Sequence, residues 1–118
     1  MHKKIPSYMR THRRRWGLTQ KELAHLLGSK SGTQVSRYER LLRQPKLYVA
    51  LACQVIFGEL PQGMFPKLYS QVEEGVMRRA YQLYQKLERG TTKTTKRKLK
   101  LLQDMLRRAT IKPNDKDL

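Results

Sequence analysis

The sequence predicts an all-α fold in which a group of short helices is followed by one long helix and a basic C-terminal helix. Three observations predict it. Pro and Gly recur as punctuation from Pro6 to Pro113, and the segments between them are helical in composition. Within those segments apolar residues return at spacings of three and four, the period of a helix face. Few positions carry the apolar–polar alternation of a half-buried strand. The expected helices lie at about 7–16, 20–27, 32–42, 46–57, 66–89 and 96–109, with a Thr/Lys linker at 91–95.

The first helix carries Arg13, Arg14 and Arg15, of which only some can share one face; Arg14 and Arg15 are the candidates for phosphate contact. Trp16, at its end and before Gly17, reads as a core plug rather than a stacking platform for a base.

The second helix has the clearest local signal, Leu18-Thr19-Gln20-Lys21-Glu22-Leu23. Thr19 is a good N-cap, and Glu22 can reach back to its N–H to close a capping box. Leu18 and Leu23 suit a hydrophobic staple, Leu23, Ala24 and Leu27 form one apolar face, and Gly28 supplies a left-handed C-terminal residue. A second box is expected at once, with Ser31 as N-cap and Gln34 three residues on. Val35, Tyr38 and Leu42 then face inward, leaving Thr33, Ser36, Arg37 and Arg40 on other faces. Two short capped helices joined by a tight turn are the unit that presents its second helix to the major groove.

At this point the sequence resembles the lambda Cro/repressor-like (XRE) helix-turn-helix family. The resemblance is carried by Arg13 through Ala24, by Leu27-Gly28, and by Val35-Ser36-Arg37-Tyr38-Glu39-Arg40. Pro45-Lys46-Leu47 with Leu51, Cys53, Phe57 and Gly58 looks like that family's fourth helix, and Met64-Phe65 like the start of its fifth. The resemblance covers about residues 7–66. It implies a five-helix lambda-repressor-like DNA-binding domain, here with a long fifth helix and a basic C-terminal extension.

By the same resemblance Gln20 contacts a backbone phosphate, and Gly32, Thr33, Ser36 and Arg37 fall at base-facing positions. Arg37 can pair bidentately with guanine, worth ~1–3 kcal/mol of discrimination, whereas Gly32 can offer only a backbone N–H. Lys30, Gln34, Arg40 and Arg43, with Arg14 and Arg15, complete the expected phosphate contacts. Arg13 and Glu39 match a buried structural ion pair of the family. Three departures stand out: the turn holds both Ser29 and Lys30, His12 replaces an aliphatic residue, and Glu59 replaces a small apolar one.

Composition agrees with a polyanionic partner. The chain has 118 residues, with 26 Lys+Arg against 9 Asp+Glu and a formal net charge of +17. Residues 1–60 contribute +9 and residues 61–118 contribute +8, so the basicity is not one appended tail. Such a field favours nucleic acid or an acidic membrane. No apolar run approaches the ~20 residues of a membrane span, and the charged start, residues 1–6, has no apolar stretch behind it, which argues against a signal peptide. A cytoplasmic location is expected. His12, His25 and Cys53 show no metal-ligand spacing, no constellation of catalytic groups is visible, and Cys53 reads as a small core residue. The expectation is no enzyme, no metal and no cofactor.

The C-terminal half leaves alternatives open. The fifth helix bears a stripe of Tyr69, Val72, Val76, Ala80, Leu83 and Leu87, widened by Met77, Tyr81 and Tyr84. Such a face suits packing onto neighbouring helices, a dimer surface, or both. The sixth has Leu99, Leu102, Leu106 and Ala109 on one side, and Lys96-Arg97-Lys98 in its first turn, the wrong sign for the helix dipole. It reads as an anion-contacting helix or as a loosely ordered basic tail. Three domain segments are expected, 1–66, 67–90 and 91–118.

The function expected is sequence-specific double-stranded DNA binding and transcriptional regulation, as a homodimer whose association strengthens on DNA. Its rivals are an antitoxin-like interaction protein with autoregulatory DNA binding, its partner held by the fifth or C-terminal helix, and a sequence-indifferent architectural or RNA-binding protein.

Overall fold

The structure, a computed structural model, describes residues 7–110. The basic start at 1–6 and the tail at 111–118, including Lys112, lie outside the described residues. Those described form seven helices and no strand: α1 (Met9–Arg15), α2 (Gln20–Leu26), α3 (Gly32–Glu39), α4 (Leu47–Phe57), α5 (Pro61–Met64), α6 (Pro66–Leu87) and α7 (Lys93–Thr110). The expected fifth and sixth helices are therefore α6 and α7. The short α5, begun by Pro61 at a position where a missing N–H costs nothing, is additional.

The chain divides into two compact units between Gln71 and Val72, inside α6. Residues 67–71 belong with the first unit, and the rest of α6 shares a unit with α7.

The first unit has one core. Met9 of α1, Leu23 and Ala24 of α2, Val35 and Tyr38 of α3, Val49 and Cys53 of α4, and Met64 of α5 are all buried, joined by Leu27 and Phe65. Burying each large side chain contributes ~1.5–3 kcal/mol. The start of α1 is tied to the end of α5 by Tyr8 N–H donating to the Met64 carbonyl at 2.8 Å, and Ser7 Oγ accepts from Met9 N–H at 3.2 Å.

Two expected core residues are exposed, for the same reason. Trp16 is 69% exposed and Leu42 67%. Helical periodicity predicts a face only while the helix lasts. Helix α1 ends at Arg15, Gly17 takes φ +71°, and the chain turns before Trp16 can reach the core, with Leu18 half-buried. Helix α3 ends at Glu39, and Leu41 adopts a left-handed φ of +53°. The Leu42 N–H then closes on the Arg37 carbonyl at 2.8 Å, the six-residue ring of a Schellman-type end. Leu41 therefore packs against the core in place of Leu42.

In the second unit, Ala80 of α6 and Leu102 of α7 are buried, and Gln103 Nε2 donates to Tyr84 Oη at 3.3 Å. Helix α7 begins a turn earlier than the linker at 91–95 suggested, because Thr92 acts as its cap: Thr92 Oγ1 accepts from the Thr95 N–H at 3.1 Å.

Candidate nucleic-acid interface

The geometry begins with α2. Glu22 N–H donates to Thr19 Oγ1 at 3.0 Å and Thr19 N–H donates to Glu22 Oε1 at 2.9 Å, closing the capping box. At the other end Gly28 sits at φ +78° and Ser29 N–H donates to the Ala24 carbonyl at 2.8 Å, again a Schellman-type end. Helix α3 starts at Gly32 after this turn and packs against α2 and α1.

Its own cap differs from expectation. Ser31 has extended backbone, but its side chain makes no capping hydrogen bond. Gln34 does not curl back towards it. It lies instead with Ser29, Arg43, Lys46 and Tyr48 around a cavity of about 120 Å³, where its Oε1 is buried with no hydrogen-bond partner among the described residues. The local box was outcompeted by the packing of the α3 flank.

Gly32 has a packing role. A Cβ there would lie 3.2 Å from Gln20 Cβ and 3.4 Å from the Gln20 and Lys21 backbone. The missing side chain lets α3 approach the start of α2. Its side-chain direction thus points at α2, whereas Thr33 and Arg37 are exposed and Ser36 is half-buried.

A polar network fixes α1, α2 and α3 to one another. Arg13 Nε donates to Glu39 Oε2 at 2.5 Å and Arg13 Nη1 to the Leu18 carbonyl at 2.8 Å. Gln20 Nε2 donates to Glu39 Oε1 at 3.2 Å. The Glu39 side chain is only 3% exposed, so Arg13 Nε and Gln20 Nε2 compensate a desolvated carboxylate, while Arg13 Nη1 ties α1 to the turn before α2. Gln20, the residue expected on a phosphate, is also the third member of this network, a role that sequence spacing could not reveal.

Around α3 the expected cations are at the surface: Arg14, Arg15, Lys30, Arg40 and Arg43 are all exposed. One more was missed. Arg10 lines an open cleft of about 420 Å³ between α1 and α3 together with Ser36 and Arg40. The available signal was its position, one helical turn before Arg13 and Arg14. Two departures from the family pattern prove to be partners: His12 Nε2 lies 3.5 Å from Glu59 Oε2, and the His12 ring tilts against Phe57 at 5.4 Å.

A family model described as helix-turn-helix matches residues 9–60. Residues 9–60 form a helix-turn-helix domain of the Cro/repressor-like kind. This helix-turn-helix domain is DNA-binding; it runs from α1 through α4 and leaves α6 and α7 outside the match. No curated protein and no solved structure matches the chain. Among the described residues no helix is long and apolar enough to cross a membrane.

Proposed function

We propose that the protein is a transcriptional regulator that binds double-stranded DNA sequence-specifically by laying α3 in the major groove. The observation that carries this reading is the outer side of α3. Arg37 is exposed and has no partner among the described residues, and Thr33 and Ser36 stand beside it on a helix whose inner face is locked by Val35, Tyr38 and Glu39. Arg37 is the one side chain in that set able to grip a guanine edge with two hydrogen bonds. The cations Arg10, Arg14, Arg15, Lys30, Arg40 and Arg43 surround it as backbone contacts, which set register and affinity rather than sequence.

Selection from random duplex DNA tests this. Wild type should enrich a defined motif, and Arg37→Ala should relax it at one base pair per half-site. An unchanged motif overturns the assignment of Arg37. A sequence-indifferent mode is favoured by the small reading set, since Gly32 contributes no side chain and its direction is filled by Gln20. Selection that enriches no motif would establish that reading instead.

One such helix reads little DNA, so the proposed unit is a symmetric pair. Of the surface expected for pairing, Ala80 and Leu102 are buried and Met77, Tyr84 and Leu87 half-buried, while Tyr69, Val72, Val76, Tyr81, Leu83 and Leu106 are exposed. Helix α4 offers an uncharged one. It carries no charged residue, yet Leu47, Tyr48, Leu51 and Val55 are 74%, 55%, 51% and 85% exposed on one side. On a chain of net charge +17, an uncharged apolar face is where a second copy can approach with least repulsion. It also belongs to the same compact unit as α3, so pairing there would set half-site spacing directly.

A further inference from the structure

We propose that the first two turns of α7 form a second, sequence-indifferent binding site for the phosphate backbone of duplex nucleic acid, separate from the helix-turn-helix domain. Helix α7 has two opposed sides. Leu102 is buried, Leu99, Met105 and Ala109 are half-buried, and Gln103 is hydrogen-bonded to Tyr84 of α6. That side is largely covered within its own unit, although Leu106 stays exposed. Lys93, Lys96, Arg97 and Lys100 stand on the other side at spacings of three and four, and all are exposed.

Along that row, Asp104 draws in its neighbours: Lys100 Nζ lies 3.8 Å away and Arg107 Nη2 2.9 Å. No carboxylate pairs with Lys93, Lys96 or Arg97 among the described residues. The excess positive charge is therefore concentrated at the N-terminal end of the helix, which has no acidic residue in its first turn. Cations there oppose the helix dipole and destabilise the free protein. A polyanion reverses the sign of that effect. The row from Lys93 to Lys100 is roughly 10 Å long, the axial rise of roughly three phosphates on one strand.

The same composition in a free amphipathic helix would suit an anionic membrane, but insertion needs the apolar side. Here Leu102 is buried and Leu99, Met105 and Ala109 are half-buried, which leaves Leu101 and Leu106 as the exposed large apolar side chains described on α7, against a cation row exposed throughout. Exposed lysines and arginines without hydrogen-bonding partners that read bases contribute affinity and salt dependence, not sequence preference.

The test uses the full chain and a random-sequence duplex. The variant Lys93→Gln/Lys96→Gln/Arg97→Gln/Lys100→Gln should make the plot of log affinity against log salt shallower by roughly 2–4, at ~0.9 per lost phosphate contact. The double variant Lys96→Gln/Arg97→Gln should give about half that change and serves if the quadruple variant loses helicity. Exchanging Lys for Arg and Arg for Lys at the four positions should restore the wild-type slope. The motif selected by α3 should be the same in all forms, so failure here is distinct from failure of the Arg37 assignment. An unchanged slope overturns the proposal, as does a loss confined to binding of anionic phospholipid vesicles.

Discussion

His12 and Glu59 each look like a misfit when taken alone, a polar residue where the helix-turn-helix pattern has an apolar one. In space they face each other at 3.5 Å, with side chains 13% and 38% exposed. The Glu59 carboxylate also lies over Gly63, where an added Cβ would clash with Oε1. A half-exposed pair of this kind couples by about 0.5–1 kcal/mol. Urea unfolding of His12→Leu, Glu59→Ala and the double variant should therefore show the double losing less than the sum of the singles by that amount. Strict additivity would show that the contact contributes nothing. Gly63→Ala should reproduce the Glu59→Ala phenotype, because the methyl displaces only the flexible carboxylate end.

Cys53 is a second residue-scale case. Burial raises its thiol from 9.0 to about 11, so the folded protein holds the neutral thiol. The contribution to stability is complete below pH 9.0 and is lost as pH rises towards about 11, because only the unfolded chain ionises in that window. The loss attributable to Cys53 should approach 1.4 kcal/mol per pH unit there and vanish in Cys53→Ala. Equal alkaline slopes in the two proteins would refute the assignment.

Among the elements, α2 and α3 begin with similar sequence signals and end differently. Thr19 caps α2 through two reciprocal hydrogen bonds, while Ser31 makes none at α3. Thr19→Ala should cost ~1 kcal/mol of stability, and Ser31→Ala should cost a few tenths at most. Equal costs in denaturant titrations would mean that Ser31 caps α3 in solution. The Thr92 cap of α7 makes a similar prediction for the second unit: Thr92→Ala should reduce helicity locally, seen as faster amide exchange over 93–96, without changing exchange in α2.

For the whole molecule the governing quantity is charge. A net +17 on 118 residues opposes both compaction and self-association. Pairing through α4 should accordingly be weak at low salt without DNA, and strengthen when duplex neutralises the cations. Sedimentation of wild type and Leu51→Glu, with and without a two-half-site duplex, checks this. Leu51 is 51% exposed, so the substitution should leave the fold intact and abolish cooperative occupancy of the second half-site. Wild-type cooperativity in Leu51→Glu would remove α4 as the pairing surface.

The sequence by itself determined the helical class, the α2 capping box, the left-handed Gly28, and the Arg13–Glu39 pairing that the family resemblance implied. These follow from spacings of three or four residues, or from a motif long enough to align, and need no knowledge of what lies across the core. Tertiary structure alone decided what happens where helices stop. The exposure of Trp16 and the packing of Leu41 in place of Leu42 depend on the left-handed Gly17 and Leu41, which reset the facing of every later side chain. The same holds for contacts between distant segments. Gln20 turns to Glu39, Gly32 yields its space to Gln20, and His12 finds Glu59, each across 12 to 47 residues of chain. Periodicity along one helix carries no information about which buried polar atom, on another helix, must be satisfied.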